Sequence, residues 1–188
     1  MKCLTRPMCF FFLFFTLISL AQTNISPHSA ERFSDMDPQK SILGNTESSK
    51  NLKTLLAALK AADLETILGN TGPFTLFAPS DKAFENFSSG KVEQLLGPEN
   101  KEELKALLTY HIVAGRFTAS NILRAMCRGN GKATFTTVQG NKLVASMSGI
   151  DIVLTDNYGN SAKIVMADAD QSNGVIHEID SVIVPGHL

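Results

Sequence analysis

The spacing of apolar residues changes at Gly129-Asn130-Gly131, and that change narrows the folds open to the chain. Upstream, Leu52, Leu55, Leu56 and Leu59 fall at i, i+3, i+4 and i+7 and line one face of a helix. The stripe extends through Leu64, Ile67 and Leu68 until Gly69, Asn70 and Gly72 stop it. Downstream come strand-like runs at 133–138, 142–147, 150–155, 162–167 and 175–184, separated by turns such as Gln139-Gly140-Asn141 and 156–160. Helices first and strands last predict an α+β fold rather than the alternating parallel class.

One strand sits among the helices. Phe74 to Ala78 is short, apolar and β-prone; Pro79 ends it, Ser80 caps a following helix, and Asp81 suits the positive end of that helix through Phe84 and Phe87. Pro98, Asn100 and Glu103 have capping-box spacing and predict a helix with Leu104, Leu107 and Leu108 on one face. His111 and Ile112 continue that face, so His111 is predicted to point inward before Gly115 ends the segment. A further short helix is predicted from Thr118 to Met126. In the last strand, Val175, His177, Ile179 and Ile183 share one face with Ser181, while Ile176, Val182 and Val184 share the other with Glu178 and Asp180. Two partly apolar faces suit a central strand.

Met1 to Met8 carries Lys2 and Arg6 without an acid, and Cys9 to Leu20 is almost unbroken apolar sequence. This has the form of a secretory signal peptide over 1–21, cleaved after Ala21. The run is about a dozen residues, against the roughly 20 that cross a bilayer, and no Cys follows it for lipid attachment, so no membrane anchor is expected. Residues 22–40 are polar and aperiodic, a flexible lead segment, which leaves 41–188 as one domain of this 188-residue chain. The processed chain would hold 15 basic and 18 acidic residues, a net charge of −3, with no basic field for a nucleic acid. It would keep one cysteine, Cys127, so no internal disulfide can form and stability must come from packing.

A nucleophile needs an adjacent base and an orienting group, and no Gly-x-Ser-x-Gly elbow, Walker A loop or GxGxxG sequence supplies one. Cys127 with His111 or His177 is the one hydrolase pairing left open; otherwise Cys127 serves as a small apolar filler. His28, His111, His177 and His187 are not clustered, and neither Asp156, Asn157 and Asn160 nor Asp168 and Asp170 match the EF-hand pattern, so no metal or cofactor is expected. Asn24-Ile-Ser26 and Asn86-Phe-Ser88 are glycosylation sequons.

Three segments, FTLFAPSDKAF at Phe74 to Phe84, LLTYHIVAGRF at Leu107 to Phe117 and NGVIHEIDSVIVP at Asn173 to Pro185, resemble in order and spacing one complete domain of the fasciclin (FAS1) family. The resemblance implies a sandwich or wedge of mostly antiparallel strands with helices packed on one side. It also implies an extracellular or periplasmic adhesion module. Tyr110 and His111 resemble the family's Tyr-His pair, associated with adhesion in animal members; a satisfied core histidine accounts for His111 as well. Asp168 falls where some animal members carry an integrin-recognised Asp followed by Ile. Here Ala169 and Asp170 follow, so what carries over is an exposed acidic loop able to touch a partner. The pair at Asn173-Gly174 reads as a turn, with Gly tolerating positive φ and Asn bonding its own backbone.

The expectation is a secreted, non-enzymatic module, a monomer or weak oligomer, adhering to a cell-surface or matrix protein or polysaccharide. Candidate contact residues are Tyr110, His111, Asp168 and Asp170. Alternatives are carriage of a small apolar ligand or lipid in a gap between helices and sheet, and hydrolysis.

Overall fold

The structure, a computed structural model, describes residues 36–87 and 94–186. The expected signal peptide, the lead segment up to residue 35, the Asn24 sequon and Ser88 of the second sequon lie outside the described residues.

Hydroxyls start three of the helices. Ser41, Ser80 and Thr118 adopt extended backbone and accept the N–H three residues on, opening α1 (Ile42–Ser48), α4 (Asp81–Asn86) and α6 (Ala119–Arg128). The intervening helices are α2 (Lys53–Ala61) and α3 (Glu65–Asn70), and α5 (Lys101–Tyr110) follows a short turn at Pro98–Asn100. α2 is capped from a distance: the Asp81 carboxylate accepts the Thr54 N–H at 2.7 Å and the Lys53 N–H at 3.3 Å. The strands are β1 (Phe74–Pro79), β2 (Ile112–Ala114), β3 (Lys132–Thr136), β4 (Lys142–Ser148), β5 (Asp151–Thr155), β6 (Ser161–Gln171) and β7 (Gly174–Ile179).

They form one seven-stranded sheet in the order β2-β1-β7-β6-β5-β4-β3, antiparallel throughout except where β1 runs parallel to β7. The two ends nearly meet: Val113 bridges to Thr137, and the Val138 N–H donates to the Ile112 carbonyl at 2.7 Å. A sheet closed this way presents few free edges to other chains. The α+β class and antiparallel character hold, but a nearly closed barrel stands where a sandwich or wedge was expected.

Alternation along the central strands divides the interior in two. Leu76, Ala78 and Ile176 face α1 to α5, packing with Leu55, Leu59, Leu68, Leu104 and Leu107. Phe77 and Ile179 face the barrel interior with Phe135, Leu143, Leu154 and Ile164. α6 corrects the expectation of helices on one side, because Ile122 and Met126 enter this second core, against β3 and β4. Among the described residues no helix is long and apolar enough to cross a membrane.

Several boundaries differ from the sequence expectation for local reasons. The long leucine stripe breaks into α2 and α3 at Asp63, which has φ 52°. α1 was not anticipated. β2 replaces a continued helix after Tyr110, where β-branched Ile112 and Val113 favour strand. Asn100 makes no capping bond and instead donates to the Gln94 carbonyl. β7 ends at Ile179, although Val182 and Ile183 still enter the helical and barrel cores respectively. Residues 36–40 are not free: Asn45 exchanges hydrogen bonds with the Asp37 backbone, and the Ser172 N–H donates to the Lys40 carbonyl.

Candidate functional site

Tyr110 and His111 end α5, where the apolar stripe turns them inward, and they are 0% and 1% exposed. His111 points inward as the helical spacing predicted, and contact of either side chain with a partner would require the fold to open. The Tyr110 hydroxyl donates to Asp156 Oδ2 at 3.4 Å. Burial first, then the Asp156 charge, pushes the phenol up to about 12. Asp156 is itself buried and collects the Tyr158 and Asn160 N–H groups and the Asn160 amide, each at 2.8 Å; that amide also reaches the Val184 carbonyl. The turn at 156–160 is thus organised by its own carboxylate, in keeping with turn chemistry.

His111 Nδ1 donates to the Leu107 carbonyl at 2.8 Å, and its Nε2 accepts the Ile183 N–H at 3.0 Å. Enclosure lowers its pKa to about 4, so the ring is neutral near pH 7. His177, in β7, is likewise fully buried and stacks on Phe77 with ring centres 5.6 Å apart. Its Nε2 donates to the Phe117 carbonyl at 2.7 Å, and its Nδ1 accepts the Asp168 N–H at 3.3 Å. Burial pushes this imidazole down as well. Both nitrogens of each ring are therefore engaged by backbone, leaving neither available as a base for Cys127. Cys127 is exposed, not the apolar filler expected.

Asp168 and Asp170 are exposed as anticipated, but on strand β6 rather than in a loop. The β6–β7 register shifts between Met166 and Ala169, and Asp168 occupies the irregularity with φ 64°, a conformation Asp tolerates better than most residues. The irregularity aims its carboxylate at the start of α6, where Oδ1 accepts the Ala119 N–H at 2.7 Å. Asp170 pairs with Arg116 Nη1 at 2.8 Å, while Arg116 Nη2 donates to the Gln171 carbonyl. Sequence reasoning missed Arg116 because only folding brings position 116 beside 170. Together, Asp168, Asp170 and Arg116 make a small charged patch at the head of α6, with His177 beneath it.

Asn173 and Gly174 also differ from expectation. Asn173 bonds distant elements, accepting the Ile42 N–H and donating to the Leu68 and Thr71 carbonyls. Gly174 is required by close approach: a Cβ there would lie 2.1 Å from the Phe74 carbonyl oxygen. Among the described residues no group of three or more His, Cys, Asp or Glu is placed to hold a metal ion.

A nearly closed barrel with a single parallel strand pair, α1 to α5 layered on one face and α6 against β3 and β4, is the setting of these residues, and the family model for the fasciclin domain matches 50–185. The chain belongs to that family. It is 40% identical to Protein sll1483 of Synechocystis sp., over 79% of this chain and 76% of that one. It is 34% identical to periostin of Homo sapiens over 74% of this chain, which corresponds to 15% of periostin. Among solved structures, a FAS1 domain pair from the insect cell adhesion molecule Fasciclin I superposes with a TM-score of 0.69 at 20% identity, covering 79% of this chain. The chain spans about half of that domain pair, 52%, and the likeness establishes the fold.

Proposed function

We propose that this chain is an exported, non-enzymatic adhesion module that meets a cell-surface or matrix protein or polysaccharide through its exterior. The observation that carries this is where the reactive groups go: both buried imidazoles and the Tyr110 phenol are spent on internal hydrogen bonds. What remains for recognition is surface chemistry, and Asp168 and Asp170 are assigned to contact while Tyr110 and His111 are assigned to the fold. The description of the insect neighbour as a cell adhesion molecule supports the same reading.

Among the described residues the apolar gap between helices speaks against carriage of a lipid there. The gap among Ala58, Phe84, Phe87, Leu95, Leu96, Leu104 and Leu107 holds about 10 Å³, too little for a lipid. The test is capture: the full chain on beads, against heat-unfolded chain, presented to cells and to extracellular material of its source. Retention of a surface component by the folded chain alone is the expected result. Equal retention by both would sink the proposal, and lipid released on organic extraction would favour carriage instead.

A further inference from the structure

We propose that the groove at the carboxyl ends of β1 and β7 is a binding site for neutral, unsulfated oligosaccharide, an inference that rests on the adhesion reading and gives it a specific ligand class. β1 and β7 pair in parallel up to Pro79 opposite Ile179. From that end one chain turns into α4 and the other leaves through Asp180 and Ser181. The continuations of the two strands diverge beyond their carboxyl ends and leave a crevice between them. Here the crevice is an open groove of about 560 Å³, within the range of small-ligand sites.

Its lining separates into groups the fold uses and groups it does not. Ser80 and Asp81 are occupied as caps of α4 and α2. Asp180 gives Oδ1 to the Lys163 N–H at 2.8 Å and keeps Oδ2. The side-chain amides of Asn51 and Asn86, the Lys82 ammonium and the Ser181 hydroxyl make no hydrogen bond among the described residues. Amides and hydroxyls both donate and accept, and the carboxylate accepts twice. A surface of that kind, with Val165 as its apolar wall, matches the dense donor and acceptor pattern of vicinal sugar hydroxyls.

The same chemistry argues against other occupants. Among the described lining residues Asp81 and Asp180 outnumber Lys82, so a sulfated or uronate chain would meet like charge. An extended peptide adds to a free strand edge, but β1 and β7 are each flanked on both sides. The carboxylates are not grouped to hold a metal ion.

The test uses the full chain made in a host that leaves Asn86 unglycosylated. Cellotetraose, maltotetraose and mannotetraose, each alongside its sulfated form, are titrated by calorimetry. At least one neutral tetrasaccharide is expected to bind with Kd below about 10 mM, and its sulfated form about tenfold more weakly. Lys82→Ala with Asn86→Ala, both at exposed positions, should weaken binding about tenfold and leave the urea midpoint in place. Asp180→Asn, which can still accept the Lys163 N–H, should weaken it less. No binding by any neutral tetrasaccharide, or binding indifferent to the double variant, overturns the groove assignment. If the double variant binds no sugar yet is still captured on matrix as the parent is, the groove stands as a sugar site and adhesion resides elsewhere. If the parent binds sugar but neither cells nor matrix, it is the adhesion reading that fails.

Discussion

His111 and His177 solve the same problem in opposite ways. Each is a buried, neutral imidazole with both nitrogens on backbone groups, but His111 carries its proton on Nδ1 and His177 on Nε2. The tautomer follows from the nearest carbonyl. At the end of α5, Leu107 offers one at i−4, while in β7 the carbonyl is that of Phe117, 60 positions away in sequence. The segments joined differ too. His111 ties α5 to the chain after β7, inside the molecule, whereas His177 ties the approach to α6 to the irregularity at Asp168, just under the charged patch. One clamp holds the fold and the other positions a surface.

Removing each ring separates these roles. His111→Ala strands the Ile183 N–H and leaves a cavity between the two cores; a loss of about 4 kcal/mol in urea unfolding is expected. His177→Ala is expected to cost about 3 kcal/mol by the same mechanisms. Only the second variant should speed hydrogen exchange at the Asp168 and Ala119 amides, because those two donors meet at the bulge. Equal acceleration in both variants would erase the distinction.

Acid sharpens the comparison. The folded pKa of His111 is about 4, below an ordinary value near 6.5 in the unfolded chain, so the unfolded state takes up the proton first as pH falls. Its stabilising contribution is complete above about pH 6.5 and is lost progressively down to about pH 4, a total on the order of 3 kcal/mol. His177 is shifted in the same direction and adds to the slope. His111→Asn, weaker at pH 7, should lose less on acidification, so the gap between parent and variant narrows from pH 7 to pH 4. Parallel stability curves over that range would contradict the assignment of a neutral, enclosed His111.

The sequence made His111's inward aspect legible because leucines at helical spacing carried the face forward to it, and alternation in the last strand placed His177 and Ile179 on one side of the sheet. Their bonding partners were not legible. Ile183, Phe117 and Asp168 reach the rings only through parallel pairing of β1 with β7 and the β6 irregularity, neither of which leaves a periodic trace. α1 was missed because Gly44, Asn45 and Thr46 are poor helix formers; Ser41 and packing on β7 override that propensity. β2 was missed because Ile112 satisfies both helical and strand spacing. The motifs at 74–84 and 173–185 were legible as architecture, but the groove between them required knowing that their strands lie side by side.

Tyr110 offers a milder perturbation of the inner region. Tyr110→Phe keeps the ring and removes a long hydrogen bond to Asp156, so about 1 kcal/mol or less is expected. Because the folded phenol ionises at about 12 against an ordinary 10, stability should also fall as pH rises from about 10 to about 12. Unfolding midpoints across that range for parent and variant check the sign: the parent declines more steeply.

The smallest thermodynamic effect belongs to the outer region. Asp170 and Arg116 are 59% and 37% exposed in their side chains, so water and salt screen the pair, and Asp170→Ala should shift stability by no more than about 0.5 kcal/mol. Asp168→Ala should cost somewhat more, about 1 kcal/mol, because its carboxylate also satisfies the first N–H of α6. If the patch is a contact, both variants lose capture on cells or matrix far out of proportion to these costs, and the loss deepens when the two are combined. Full capture by a folded double variant would remove Asp168 and Asp170 from recognition, and His177 would then be a second internal clamp that happens to lie near the surface.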